Sequence, residues 1–200
     1  ALALAEMKDY IGKIRDVAGD DLLVVMGNHD FNNPNNNPNS LVEDFIDKVV
    51  RYQDLEDVLM SGVKTRVCED VREKIAYLDC SDDEKEELIH YSRLHYHIDN
   101  SEQKIRYIML NTGAPRICNC VFKNFGVSVF NELILQFDWL YETLVSTPED
   151  YDVVISAHQL YFSKTSDFYP VVLQMMKMIS GFRTKSKVTV QNVLSDNPQV

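Results

Sequence analysis

Leu22-Leu23-Val24-Val25-Met26-Gly27-Asn28-His29-Asp30 is the stretch whose reading decides the fold. Five apolar residues run into Gly27, and three adjacent residues able to bind metal or move protons follow at once. The run is short, apolar and bounded by Asp21 and Gly27, which predicts a buried strand over 22–26. In an open α/β sheet, ligands lie just beyond the carboxyl ends of the strands, and Asn28, His29 and Asp30 occupy that place. Gly27 at the corner lets the backbone turn tightly and approach an ion or a phosphate.

The same grammar recurs downstream. Asp152-Val153-Val154-Ile155-Ser156 predicts a second buried strand, preceded by a helix, with Ala157-His158-Gln159 at its carboxyl end. By residue type alone, the first corner also fits a polar turn and His158 a structural histidine. Taken together, the two segments resemble the third and fourth signature motifs of the calcineurin-like metallophosphoesterases. The resemblance implies an α/β fold, a layered α/β/β/α sandwich. It also implies roles: Asn28 and His158 ligate one metal, His29 serves the leaving group, and Asp30 orients His29. The implied reaction is phosphoester hydrolysis, with two divalent ions (Mn, Fe or Zn) delivering hydroxide to phosphorus and His29 acting as general acid. The substrate class stays at "phosphoester", monoester or diester; Asp30 in place of Glu speaks against the protein Ser/Thr phosphatase branch.

The family pattern also requires Asp-x-His and Gly-Asp before Gly27 and Gly-His-x-His after His158, and no residue here matches them. The expectation is therefore that residues 1–200 are the central part of one such domain, incomplete at both ends. Ala1-Leu2-Ala3-Leu4-Ala5, with no initiator Met and already helical in pattern, points the same way. With two protein ligands for one ion, these residues alone are expected to bind metal weakly and to lack phosphoesterase activity. The alternative is a catalytically inactive phosphatase-like binding or scaffold domain, which missing aspartates in the full gene would favour.

Composition sets outer bounds. A content of 45% hydrophobic and 26% charged residues in 200 is that of a globular chain with material for a core. A net charge of -11 disfavours extended binding to nucleic acid, while bound metals could still reverse the local field at a phosphoester site. No apolar run suggests a membrane span. Cys68, Cys80, Cys118 and Cys120 form no CxxC pair, which predicts reduced thiols and a cytoplasmic protein.

Around the two corners the chain reads as follows. Leu4, Met7, Ile11 and Ile14 mark an amphipathic helix ending near Gly19. The Asn- and Pro-rich segment 31–39 is a loop. Capping boxes at Ser40–Glu43 and Ser81–Glu84 each start a helix, and about 32–92 reads as a mainly helical insertion, although 52–80 is too mixed to place. Leu94–Asp99 and Lys104–Leu110 alternate around Asn100-Ser101-Glu102-Gln103, a β-hairpin. His95 and His97 share one strand face and read as structural. Residues 114–128 are loop-like. Leu133, Phe137, Leu140, Tyr141 and Leu144 give a helix capped by Ser128 or Asn131 and broken at Thr147-Pro148, with Trp139 as packing. Pro170 and Gly181 bracket a last helix, and Val188 and Val190 suggest a final strand.

Overall fold

The structure is a computed structural model and describes residues 2–19, 22–26, 51–63, 66–68, 70–78, 80–111, 129–158, 175 and 177–182. Within them the chain is mixed α/β. Helices α1 (Leu2–Ala18), α2 (Tyr52–Leu59), α3 (Arg72–Ala76) and α4 (Asp82–Ser92) precede strands β1 (Tyr96–Asn100) and β2 (Ile105–Leu110). Helix α5 (Val129–Val145) and strand β3 (Asp152–Ala157) follow. The Asn-rich loop 31–39, the Ser40 capping box, segment 114–128 and the strand expected at Val188 and Val190 lie outside the described residues.

The sheet has the order β1-β2-β3. β1 and β2 form the expected antiparallel hairpin, with Tyr96 opposite Met109 and Asn100 opposite Ile105. Asn100 closes its turn: Oδ1 accepts from the Glu102 amide at 3.1 Å and the Gln103 amide at 2.9 Å, the local bonding that suits Asn to turns. β2 and β3 run parallel from Ile105 beside Asp152 to Leu110 beside Ala157. Parallel neighbours need a long crossover, and α5 lies within it.

A core covers each face of this sheet, because side chains alternate along a strand. Tyr96 and Met109 pack with Tyr52 and Leu55 of α2 and Leu88 and Tyr91 of α4. Ile108 and Leu110 pack on the other face with Trp139, Leu140 and Leu144 of α5, joined by Met175 and Met178. The helical residues at 175 and 177–182 lie within the expected last helix and run one residue past Gly181.

Helix ends follow local chemistry. α1 stops where Gly19 takes φ +64, a conformation that favours glycine. Arg15 reaches from α1 to donate to the Leu59 carbonyl at 3.1 Å, capping the end of α2. Its guanidinium lies over Gly62, where a Cβ would collide with it. Ser81 and Glu84 form the predicted capping box of α4, whose Leu88 is buried.

Segment 52–80 resisted a sequence reading because its partners are distant and partly charged. Glu56, nearly buried, accepts from Arg66 and His90, each at 2.8 Å. Val67 exchanges both backbone hydrogen bonds with His97, at 2.9 and 3.1 Å, so 66–68 lies against the free edge of β1. Cys68 lies in the same cluster, its thiol pushed up by burial and therefore a poor nucleophile.

Leu22–Met26 departs from expectation. Met26 is fully buried and Leu23, Val24 and Val25 pack on the first core, yet the segment forms no strand and pairs with none of β1–β3. The Tyr96 hydroxyl takes the place of a ladder. It accepts from the Val24 amide and donates to the Val24 carbonyl, both at 2.9 Å. One buried side chain thus satisfies both peptide groups that a neighbouring strand would have bound. Among the described residues, no helix is long and apolar enough to cross a membrane.

Candidate functional site

The carboxyl ends of β2 and β3 form one edge of the sheet, because the two strands are parallel and in register to their last residues. Leu110 stands beside Ala157, so Asn111 and His158 are the first residues to leave the ladder on neighbouring strands. His158 is exposed. Ile155 and Ala157, which precede it on β3, pack into the second core. The sequence predicts a buried strand before this residue; the strand is observed, but its residues are partly buried at most, and Asp152 and Val154 are exposed.

Asn28, His29 and Asp30 lie outside the described residues. The approach of Asn28 to His158 is therefore not among the distances the structure describes. What is described is the run that leads to Gly27: it ends at Met26, buried in the core that also holds Tyr96 and Met109.

The exit of β2 is held with particular care. Asn111 is fully buried, and Gln136 of α5 grips its peptide from both sides. The Asn111 amide donates to Gln136 Oε1 at 2.7 Å, and Gln136 Nε2 donates to the Asn111 carbonyl at 3.0 Å. Nε2 also donates to the Tyr91 hydroxyl at 3.2 Å, so both Nε2 donors of this interior amide are used. At the far end of the same strand, Arg106 makes a bidentate pair with Asp99, both contacts at 2.7 Å, and donates to the Thr143 carbonyl near the end of α5. That pairing holds the Asp99 carboxyl below its ordinary range, first through the Arg106 hydrogen bonds.

His95 and His97 belong to the interior, as their place on one strand face suggested. The His95 ring lies 4.7 Å from the Trp139 ring and 5.5 Å from that of Tyr91; His97 lies 6.2 Å from Trp139. Burial lowers His95 to about 3, so its ring is neutral at physiological pH. Burial also lowers His97, with Arg106 adding to the effect and Asp99 opposing it. Neither His95 nitrogen has a hydrogen-bond partner among the described residues.

Among the described residues His158 is the imidazole nearest this edge, a ligand type that suits Mn, Fe or Zn. Among the described residues no group of three or more His, Cys, Asp and Glu side chains could hold an ion, so further donors would come from outside them, where Asn28 lies.

Two residues that shape this edge escaped the sequence reading. Gln136 falls on the apolar stripe of α5, three residues after Leu133 and four before Leu140, and a polar residue on such a stripe is a usable signal. Tyr96 left no comparable signal, since an aromatic residue in a strand is ordinary. Compared with family models, curated proteins and solved structures, the chain matches none.

Proposed function

We propose that the complete protein is a metal-dependent phosphoester hydrolase of the calcineurin-like type, built on that family's α/β/β/α sandwich. The observation that supports this reading most is the placement of His158, exposed at the carboxyl end of β3 beside the exit of β2. Leu22–Met26, packed on a core shared with β1 and β2, leads into the second half of the pattern, Gly27-Asn28-His29-Asp30.

On this reading Asn28 and His158 hold one of two divalent ions. When bound, the pair supplies Lewis-acid charge for the phosphoryl oxygens and an activated water. His29 donates a proton to the oxygen of the leaving group, which would otherwise depart as an unstable alkoxide. Asp30 accepts from the other ring nitrogen, fixing the donor tautomer and stabilising the imidazolium before it loses its proton. On this reading two residues bind, one delivers a proton and one orients the donor.

The test is His29→Ala in the full-length protein, assayed with Mn²⁺ against phosphodiesters of graded leaving-group pKa. Turnover of an alkyl ester should fall on the order of 10²–10⁴-fold, the usual worth of a general acid, while metal content stays unchanged. The loss should shrink for nitrophenyl esters, which leave without a proton. An equal loss for both would remove His29 from this role. Phosphoester binding without turnover in the wild type would favour the scaffold alternative.

A further inference from the structure

His95 and His97 flank Tyr96 and share the other face of the chain at the start of β1, the face that α5 covers. Both are buried, His95 fully. The His95 ring centre lies 5.5 Å from that of Tyr91 on α4 and 4.7 Å from that of Trp139 on α5; His97 lies 6.2 Å from the same indole. Neither nitrogen of His95, nor Nδ1 of His97, has a hydrogen-bond partner among the described residues. A neutral imidazole carries one donor and one acceptor, and interior polar atoms are nearly always paired. Packing alone would not select histidine here, since a phenylalanine would meet the same two rings without stranding polar atoms. His90, at the end of α4, shows the opposite arrangement: Nδ1 lies 2.8 Å from Glu56 and Nε2 3.4 Å from Glu86, a carboxylate for each nitrogen.

At His95 a proton would find no such partner. α4 faces it with Tyr91, whose hydroxyl accepts from Gln136, and α5 faces it with Trp139. His97 comes next on the same face, near Arg106 and Asp99, which are paired with each other. β1 is held to β2 by a ladder and to Val67 by two backbone hydrogen bonds, and α4 leads directly into it, whereas α5 meets the two histidines ring against ring. We propose that His95 and His97 form an acid-sensing latch between β1 and α5, opened by a proton on His95, which parts the Trp139 stretch of α5 from β1 while the core of α2 and α4 stays shut. Burial lowers His95 to about 3 in the closed form, and a ring freed to water returns to the ordinary 6.5. The latch is therefore whole above pH 6.5 and weakens as pH falls towards 3. From His95 alone, opening becomes roughly 30-fold more favourable between pH 7.5 and pH 5. His97, lowered by burial first and by Arg106 next, with Asp99 opposing, adds in the same direction. The latch is independent of the phosphoesterase reading.

The experiment is amide hydrogen exchange of the full-length protein at pH 7.5 and pH 5, corrected for the intrinsic effect of pH and repeated in low concentrations of urea. Local opening exposes little surface and responds weakly to urea, whereas global unfolding responds strongly. The Leu140 and Thr143 amides of α5 should lose roughly 30-fold or more of their protection at pH 5, with weak urea dependence. The Leu59 amide of α2 should keep the strong urea dependence of a group released only by global unfolding. His95→Phe should remove most of the fall in α5 protection, since it leaves no ring at that position to take up a proton. Should His95→Phe fail to fold, His95→Gln supplies the same comparison. Three results would each overturn the latch: α5 protection that ignores pH in the wild type, an equal fall in the His95 variant, or α5 and α2 amides that open with one shared urea dependence.

Discussion

Val24 and Val154 stand in the middle of two apolar runs, each followed within a few residues by a histidine of the candidate site. The Val24 peptide is held at both ends by the Tyr96 hydroxyl, whereas Val154 lies in a continuous ladder beside Tyr107 of β2. Both segments pack against cores, with Met26 fully buried in one and Ile155 and Ala157 lying against the other. The difference teaches that an apolar run brings a segment against a core and leaves both the depth of burial and the backbone's partner undecided: Met26 is buried while Val154 is exposed. A ladder needs a second strand within reach.

The largest expected effect loosens both regions together, because both depend on β1. That strand carries Tyr96, and His95 and His97 flank it. His95 is neutral in the fold and lowered to about 3 by burial, against rings of Tyr91 and Trp139 that offer no compensating charge. The sign follows from linkage. The unfolded chain gains a proton near pH 6.5 that the fold refuses, so the stability contributed is whole above that pH and is lost as pH falls towards 3. The full loss amounts to roughly 5 kcal/mol, one proton across a shift of that size. His97, also lowered, adds in the same direction, while Asp99, held low by Arg106, begins to lose its own contribution only as pH falls below the ordinary carboxylate range. Urea midpoints between pH 7.5 and about pH 4 should fall steeply in the wild type and less steeply in His95→Phe. Equal slopes in the two proteins would show that His95 is not the group responsible.

A smaller, local effect separates the two regions. Tyr96→Phe keeps the ring in its buried place and removes only the hydroxyl, stranding the Val24 amide and carbonyl. Leaving buried peptide groups unpaired costs about 1–3 kcal/mol. Amides near Val24 should lose hydrogen-exchange protection while those of β2 and β3 keep theirs. Equal loss along the ladder would mean that Leu22–Met26 and the sheet open as one unit, and the distinction between the two corners would fall.

Much of the architecture is legible in the chain because it is local. Leu4, Met7, Ile11 and Ile14 give α1, the Ser81–Glu84 box gives α4, and alternation about Asn100 gives the hairpin. Asp152–Ser156 reads as a strand and is one. Leu22–Met26 reads the same way and is not, since its hydrogen-bond partner is a tyrosine hydroxyl more than seventy positions away. α2, α3 and the Val67 bridge stayed hidden for a related reason: the buried Glu56 pairs with the partly buried Arg66, and no periodicity announces a pairing between distant charges. For the candidate site, the sequence located His158 at a strand's carboxyl end, while the clamps of Gln136 and Tyr96 became visible only in three dimensions.

The central proposal is that Asn28 and His158, which follow the two apolar runs, serve one ion. Its most direct test is a double-mutant cycle in Mn²⁺ affinity, measured by calorimetry on the full-length protein with Asn28→Ala, His158→Ala and the pair. Ligands of one ion act as a unit, so each single variant should weaken binding and the double variant should lose less than the two losses combined. The expected coupling is about 0.5–3 kcal/mol. Additive losses, or an affinity indifferent to either residue, would contradict the claim.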